Sequence, residues 1–194
     1  MSPADANKPI DDMLIPRRRL PSRPSASEIE ERDPALVVDQ PAVLAYALEN
    51  LFVMLWRGAT TDVALDDVHA ALERVVAQHE EGIAIVSIIQ RGAPPPSSAH
   101  RGRVREFQET LSSRLRCLAI VIEGMGFWAS AVLGAATAII SARRVRFPQK
   151  VCRTHEEAVL FIASKCEGTP AGDGRMIMRA FDFVHADATL RASR

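Results

Sequence analysis

Two apolar periods alternate along the middle of the chain. ALVV (35–38) suits a short edge strand, and AVLAYALEN (42–50) and LFVMLWRG (51–58) suit two strands turning at Glu49-Asn50. Asn tolerates the left-handed backbone that such a tight turn needs. In TDVALDDVHAALERVVAQH (61–79), Leu65, Val68, Leu72, Val75 and Val76 recur at three- and four-residue spacing. That is an amphipathic helix, with Thr61 or Asp62 as N-cap and early carboxylates that suit the helix dipole.

IAIVSII (83–89) and CLAIVIE (117–123) are nearly continuous apolar runs, which strands buried on both faces of a parallel sheet require. Between them lies the rigid loop RGAPPPSSAH, followed by a helix striped with Val104, Phe107, Leu111 and Leu115. A third helix is predicted over about 126–142. VRFPQKV (145–151) supplies a strand whose Pro148 is best tolerated at a sheet edge. Thr154-His155-Glu156-Glu157 reads as a capping box. It opens a helix that buries Ala158, Phe161 and Ile162 and stops before Gly168.

Outside these segments the periodicity fades. The first 33 residues hold five of the twelve prolines and the cluster Arg17-Arg18-Arg19, so residues 1–33 are expected to be a disordered arm. Residues 34–168 form the α/β domain and 169–194 a C-terminal tail, in which FDFV (181–184) either docks as a strand or stays loose.

Composition adds exclusions. With 194 residues, 47% apolar and 25% charged, the chain is neither wholly disordered nor fibrous. Its net charge of zero hides a split. Residues 36–90 carry eight acids against Arg57 and Arg74, while 91–153 carry eleven bases against Glu106, Glu109 and Glu123. A dipolar surface of this kind suits self-association or an acidic partner, and two solvated faces is the plainer alternative. Nucleic acid is not expected, because the bases lack interleaved aromatics.

Cys117, Cys152 and Cys166 form no CxxC, and no His lies at metal-ligand spacing, so neither a disulfide framework nor a metal is expected. The polar N-terminus lacks a signal-peptide core, and a cytoplasmic location is expected. Gly124 to Ala142 is nineteen residues without a charge, near the length of a membrane span. Its position between two β-runs that must pair argues instead for a crossover helix whose small residues let it approach the sheet closely.

The element order β-β-α-β-α-β-α-β-α over about 36–166 resembles the STAS family, the sulphate transporter and anti-sigma factor antagonist domains, and in particular its divergent members of unassigned function. The resemblance implies a mixed, mostly parallel sheet of about five strands with four helices, and a non-catalytic regulatory or protein-interaction role. It also implies a phospho-switch in the loop before the second helix. Ser97 and Ser98 match that switch by position, although the acidic residue and glycine of the family context are replaced by Pro94-Pro95-Pro96 and Ala99.

Independently of the family, a helix N-terminus stabilises a phosphate, and Arg91, Arg101 and Arg103 stand close in sequence. The structural alternative makes Ser98 the N-cap and Ser97 a loop residue.

No P-loop, GxSxG or full GxGxxG is present, and the five histidines are scattered, so no catalytic residue and no cofactor is expected. Gly124, Gly126, Phe127 and Trp128, at a strand-to-helix turn, are candidate rim residues for a ligand or partner. A protein partner is expected, with a second copy of the chain as one form of it. The alternative is a small-molecule or lipid-binding domain.

Overall fold

The computed structural model describes residues 32–140 and 145–193. The arm expected over 1–33 lies outside them, apart from Arg32 and Asp33, which pair with Glu49 (3.1 Å) and Arg179 (3.2 Å). Six strands form one sheet: β1 (Ala35–Asp39), β2 (Val43–Leu48), β3 (Leu51–Trp56), β4 (Ile83–Ile89), β5 (Leu115–Ile122) and β6 (Gln149–Cys152). They lie side by side in sequence order. The pairs β1–β2 and β2–β3 are antiparallel, and the pairs from β3 through β6 are parallel. The fold is thus α/β with a mixed, mostly parallel sheet. The short edge segment joins it as a sixth strand, beyond the five expected.

Five helices are described: α1 (Asp62–Gln78), α2 (Ser98–Leu111), α3 (Phe127–Ile140), α4 (His155–Lys165) and α5 (Gly174–Ala192). The first three are the crossovers between successive parallel strands. Crossovers of a single hand along a sheet in sequence order place their helices on one face. Phe52, Met54, Ile85, Leu118 and Ile120 accordingly pack toward Val68, Leu72 and Val76 of α1 and Ala136 of α3.

The opposite face, with Leu44, Tyr46, Val53, Val86, Ala119 and Cys152, needs its own cover. It receives Ala158 and Ile162 of α4, then Met176, Ile177, Ala180, Phe181 and Val184 of α5. Residues 174–192 are therefore neither a tail nor a strand, and the helix count rises from four to five. A 3₁₀ turn, Pro170–Gly172, leads into α5. Asp173 then caps it by accepting from Arg175 N at 2.9 Å.

The β2–β3 turn also differs from expectation. The positive φ falls on Glu49 (49°), not on Asn50. Asn50 is instead wholly buried: its amide donates to Gly82 O at 3.1 Å and its Oδ1 accepts from Ala171 N at 2.8 Å. One side chain thereby pins the hairpin to the loop before β4 and to the turn before α5.

The charge split is partly satisfied within the molecule. Arg103 on α2 binds Asp62 (2.5 Å) and Asp66 on α1. Arg114 donates to Val76 O and His79 O at the end of α1, adding a charged second donor to carbonyls that already accept from His79 N and Gly82 N.

α3 rests on the sheet side through one stripe, Val132, Ala136 and Ile139, and its outer face is exposed. No helix among the described residues is long and apolar enough to cross a membrane.

Candidate functional site

Two features stand out, one on each side of the sheet. The first is a cavity of about 390 Å³ between the sheet and α1, α2 and α3. Its apolar wall includes Met54, Leu72, Ile85, Leu118, Phe107 and Ile139. The sequence leaves this space open for two local reasons. α2 is polar and buries only Gln108 and Leu111, so it cannot fill the gap beneath it. α3 presents alanines, Ala135 and Ala136, where longer side chains would reach the strands. Polar groups at its boundary are few. The Gln108 carbonyl accepts from Gln149 Nε2 at 3.4 Å. The His69 ring packs edge-on to Phe107, with centroids 3.9 Å apart, and lies 3.2 Å from Glu73. Pro94, Pro95, Glu106 and Thr110 are exposed and mark where the cavity meets solvent.

The second feature lies at the carboxyl ends of the parallel strands, where open α/β sheets place their ligands. Glu123 directly follows β5, and its backbone N–H still donates to Ile89 O at 2.9 Å, so its position is fixed by the sheet. His155 is the first residue of α4. Thr154 Oγ1 accepts from Glu157 N (3.2 Å), and the Glu157 carboxylate accepts from Arg153 N (2.8 Å), one residue earlier than a standard capping box. His185 comes from α5, flanked by buried Phe181, Val184 and Ala188. Glu123 Oε1 lies 3.3 Å from His155 Nε2 and 2.8 Å from His185 Nε2, and the two Nε2 atoms are 3.4 Å apart. The His155 ring stacks on Phe181 with centroids at 4.6 Å and planes at 14°, which fixes its orientation.

The candidate rim residues fall beside this cluster. Gly124 and Gly126 have φ of 128° and 83°, the turn geometry that glycine permits. A Cβ on Gly124 would come within 3.1 Å of the Trp128 ring. Trp128 Nε1 donates to Ala93 O at 2.9 Å, tying the loop after β4 to the first turn of α3. Met125 and Phe127 are 92% and 91% exposed.

Of the candidate switch serines, Ser97 is the N-cap of α2, accepting from His100 N at 3.2 Å, and Ser98 is the exposed first helical residue. The cap therefore sits one residue earlier than the structural alternative placed it. Arg101 donates to Pro96 O (2.7 Å), beside Ser97, whereas Arg103 is held by the carboxylates of α1.

Sequence reasoning missed the Glu123, His155 and His185 cluster. His185 lay in the supposed tail, and the three positions are far apart in the chain. The available signals were an acid at the end of a buried strand and a histidine at the start of a capped helix. The chain matches no protein-family model, and neither curated proteins nor solved structures give a match to it.

Proposed function

We propose that this chain is a non-catalytic binding domain for an apolar small molecule or acyl chain, held between the sheet and α1, α2 and α3. The observation that supports it is the cavity. Its volume of about 390 Å³ lies in the range of small-molecule sites. Apolar walls with one buried amide, Gln108, favour a ligand that is mostly hydrocarbon with a single hydrogen-bonding group. The guanidinium of Arg103 is already engaged by two carboxylates, so a strongly anionic head group gains little there.

Native mass spectrometry of the purified chain, with displacement of an environment-sensitive apolar dye by medium-chain fatty acids, tests this reading. Ala135 lines the cavity and is only partly buried, so Ala135→Phe fills the space without overpacking the core. Wild type should retain or take up one apolar molecule, and Ala135→Phe should lose most of that binding. Absence of uptake in wild type, or equal uptake by the variant, overturns the proposal.

The STAS-like regulatory reading is the second proposal, supported by exposed Ser98 on the first turn of α2, where added negative charge meets the positive helix end. α2 also walls the cavity, so a charge at its start and a ligand beneath it would act on the same helix. A pull-down comparing wild type with Ser98→Asp tests this reading, and identical partner sets would overturn it.

A further inference from the structure

We propose that Glu123, His155 and His185 form a binding site for a divalent transition-metal ion, with zinc the best fit. Three observations carry it. The donor set, two imidazole nitrogens and one carboxylate oxygen, is one that zinc takes, whereas calcium and magnesium prefer all-oxygen sites.

The spacing fits as well. Zinc binds such atoms at about 2.0–2.2 Å, so the edges of its tetrahedron measure roughly 3.3 Å. The three donor separations are 3.3, 3.4 and 2.8 Å. Two already equal a tetrahedral edge. The third opens to that length with a shift of about half an ångström at the Glu123 carboxylate, a terminal group that rotates freely.

The third observation is how the donors are held. Both histidines present the same ring atom, Nε2, to one point. The His155 ring is fixed by Phe181, while the backbone of Glu123 is fixed by the β4–β5 ladder and its carboxylate keeps the freedom to adjust. A ring held in place by its neighbours is what a metal site requires of a histidine ligand, and His155 has it.

All three side chains are about one-quarter to one-third exposed, so an ion can enter and a water can take the fourth position. Three protein donors with one open position is the pattern of zinc sites that present a water or ligand rather than of closed structural ones. The site faces α4 and α5, across the sheet from the apolar cavity, and stands independently of the ligand proposed there. In the absence of an ion, the same atoms can form a hydrogen-bonded cluster in which the carboxylate accepts from both rings, and the experiment separates the two.

The full chain, stripped with a chelator and dialysed, is titrated with Zn²⁺ by calorimetry and with Co²⁺ by visible absorption. The expected result is one equivalent per chain, a tetrahedral Co²⁺ spectrum and a higher melting temperature with zinc. His155→Gln, His185→Gln and Glu123→Gln should each weaken binding by at least about tenfold, since even supporting residues outside the coordination sphere cost that much. His79→Ala, at a histidine paired with Glu81 elsewhere, should leave it unchanged. If a glutamine variant fails to fold, the wild-type Co²⁺ spectrum decides: octahedral, oxygen-only character overturns the proposal. So does stoichiometric binding that survives loss of His185, or no binding below millimolar Zn²⁺.

Discussion

Phe181 offers a sharp test of whether the C-terminal helix belongs to the core. Its ring is 1% exposed, on the sheet face shared with α4, and stacks on His155. Phe181→Ala removes the ring while leaving the helix, its cap and its ordering cost in place, so the change reports packing alone. Truncating a buried Phe to Ala costs about 3–5 kcal/mol, from lost transfer energy and the cavity left behind. Here α5 cannot slide inward to close the gap, because Ile177 and Val184 on the same stripe already touch the core. A domain of this size loses roughly 2–4 °C of melting temperature per kcal/mol, so the midpoint should fall by about 6–20 °C. Urea unfolding followed by circular dichroism gives the free energy directly. Leu190→Ala is the control, on the same helix but 63% exposed, and should stay within about 0.5 kcal/mol of wild type. A loss below about 1 kcal/mol for Phe181→Ala would refute the packing of α5 on the sheet.

Further outcomes follow from particular contacts. Asn50→Ala should cost about 2–6 kcal/mol in urea unfolding, because Gly82 O and Ala171 N–H each lose a buried partner at about 1–3 kcal/mol apiece. Ser97→Ala should cost about 1 kcal/mol while Ser97→Asp is near neutral, since Asp also caps. Equal effects for Ser97→Ala and Ser98→Ala would contradict the cap assignment. Tyr46, the one tyrosine of the chain, is held above its ordinary pKa by burial and by donating to Asp187 Oδ2 at 2.8 Å. A phenol raised in the folded state stays protonated while the unfolded chain releases its proton. Stability is therefore untouched below about pH 10 and falls above it by up to roughly 1.4 kcal/mol per pH unit. Tyrosinate absorbance should then appear only together with unfolding, and Tyr46→Phe should flatten the alkaline decline.

Local pattern determined much of this architecture. The β-branched runs at 83–89 and 117–123 are the central parallel strands because their apolar character on both faces has no other soluble solution. The stripe of α1 and the Thr154 cap of α4 were readable because three- and four-residue spacing and capping chemistry act within one turn.

What tertiary structure decided was every feature that depends on distant segments. In GRMIMRAFDFVHADATLRA, Met176, Ala180, Val184 and Ala188 recur at four-residue spacing, so a helix was legible there, and only the tertiary structure decided that its stripe covers the sheet face opposite α1, α2 and α3. Asn50 looked like a turn residue, and its burial depends on carbonyl and amide partners 32 and 121 residues away. The small residues of α3 could be counted in the sequence, but whether they closed on the sheet or left a cavity depended on how little α2 contributes beside them. Glu123, His155 and His185 became neighbours only because a strand end, a helix start and the last helix meet at one sheet edge. Spacing along the chain records contacts within an element, and such a meeting of three separate elements leaves no period to read.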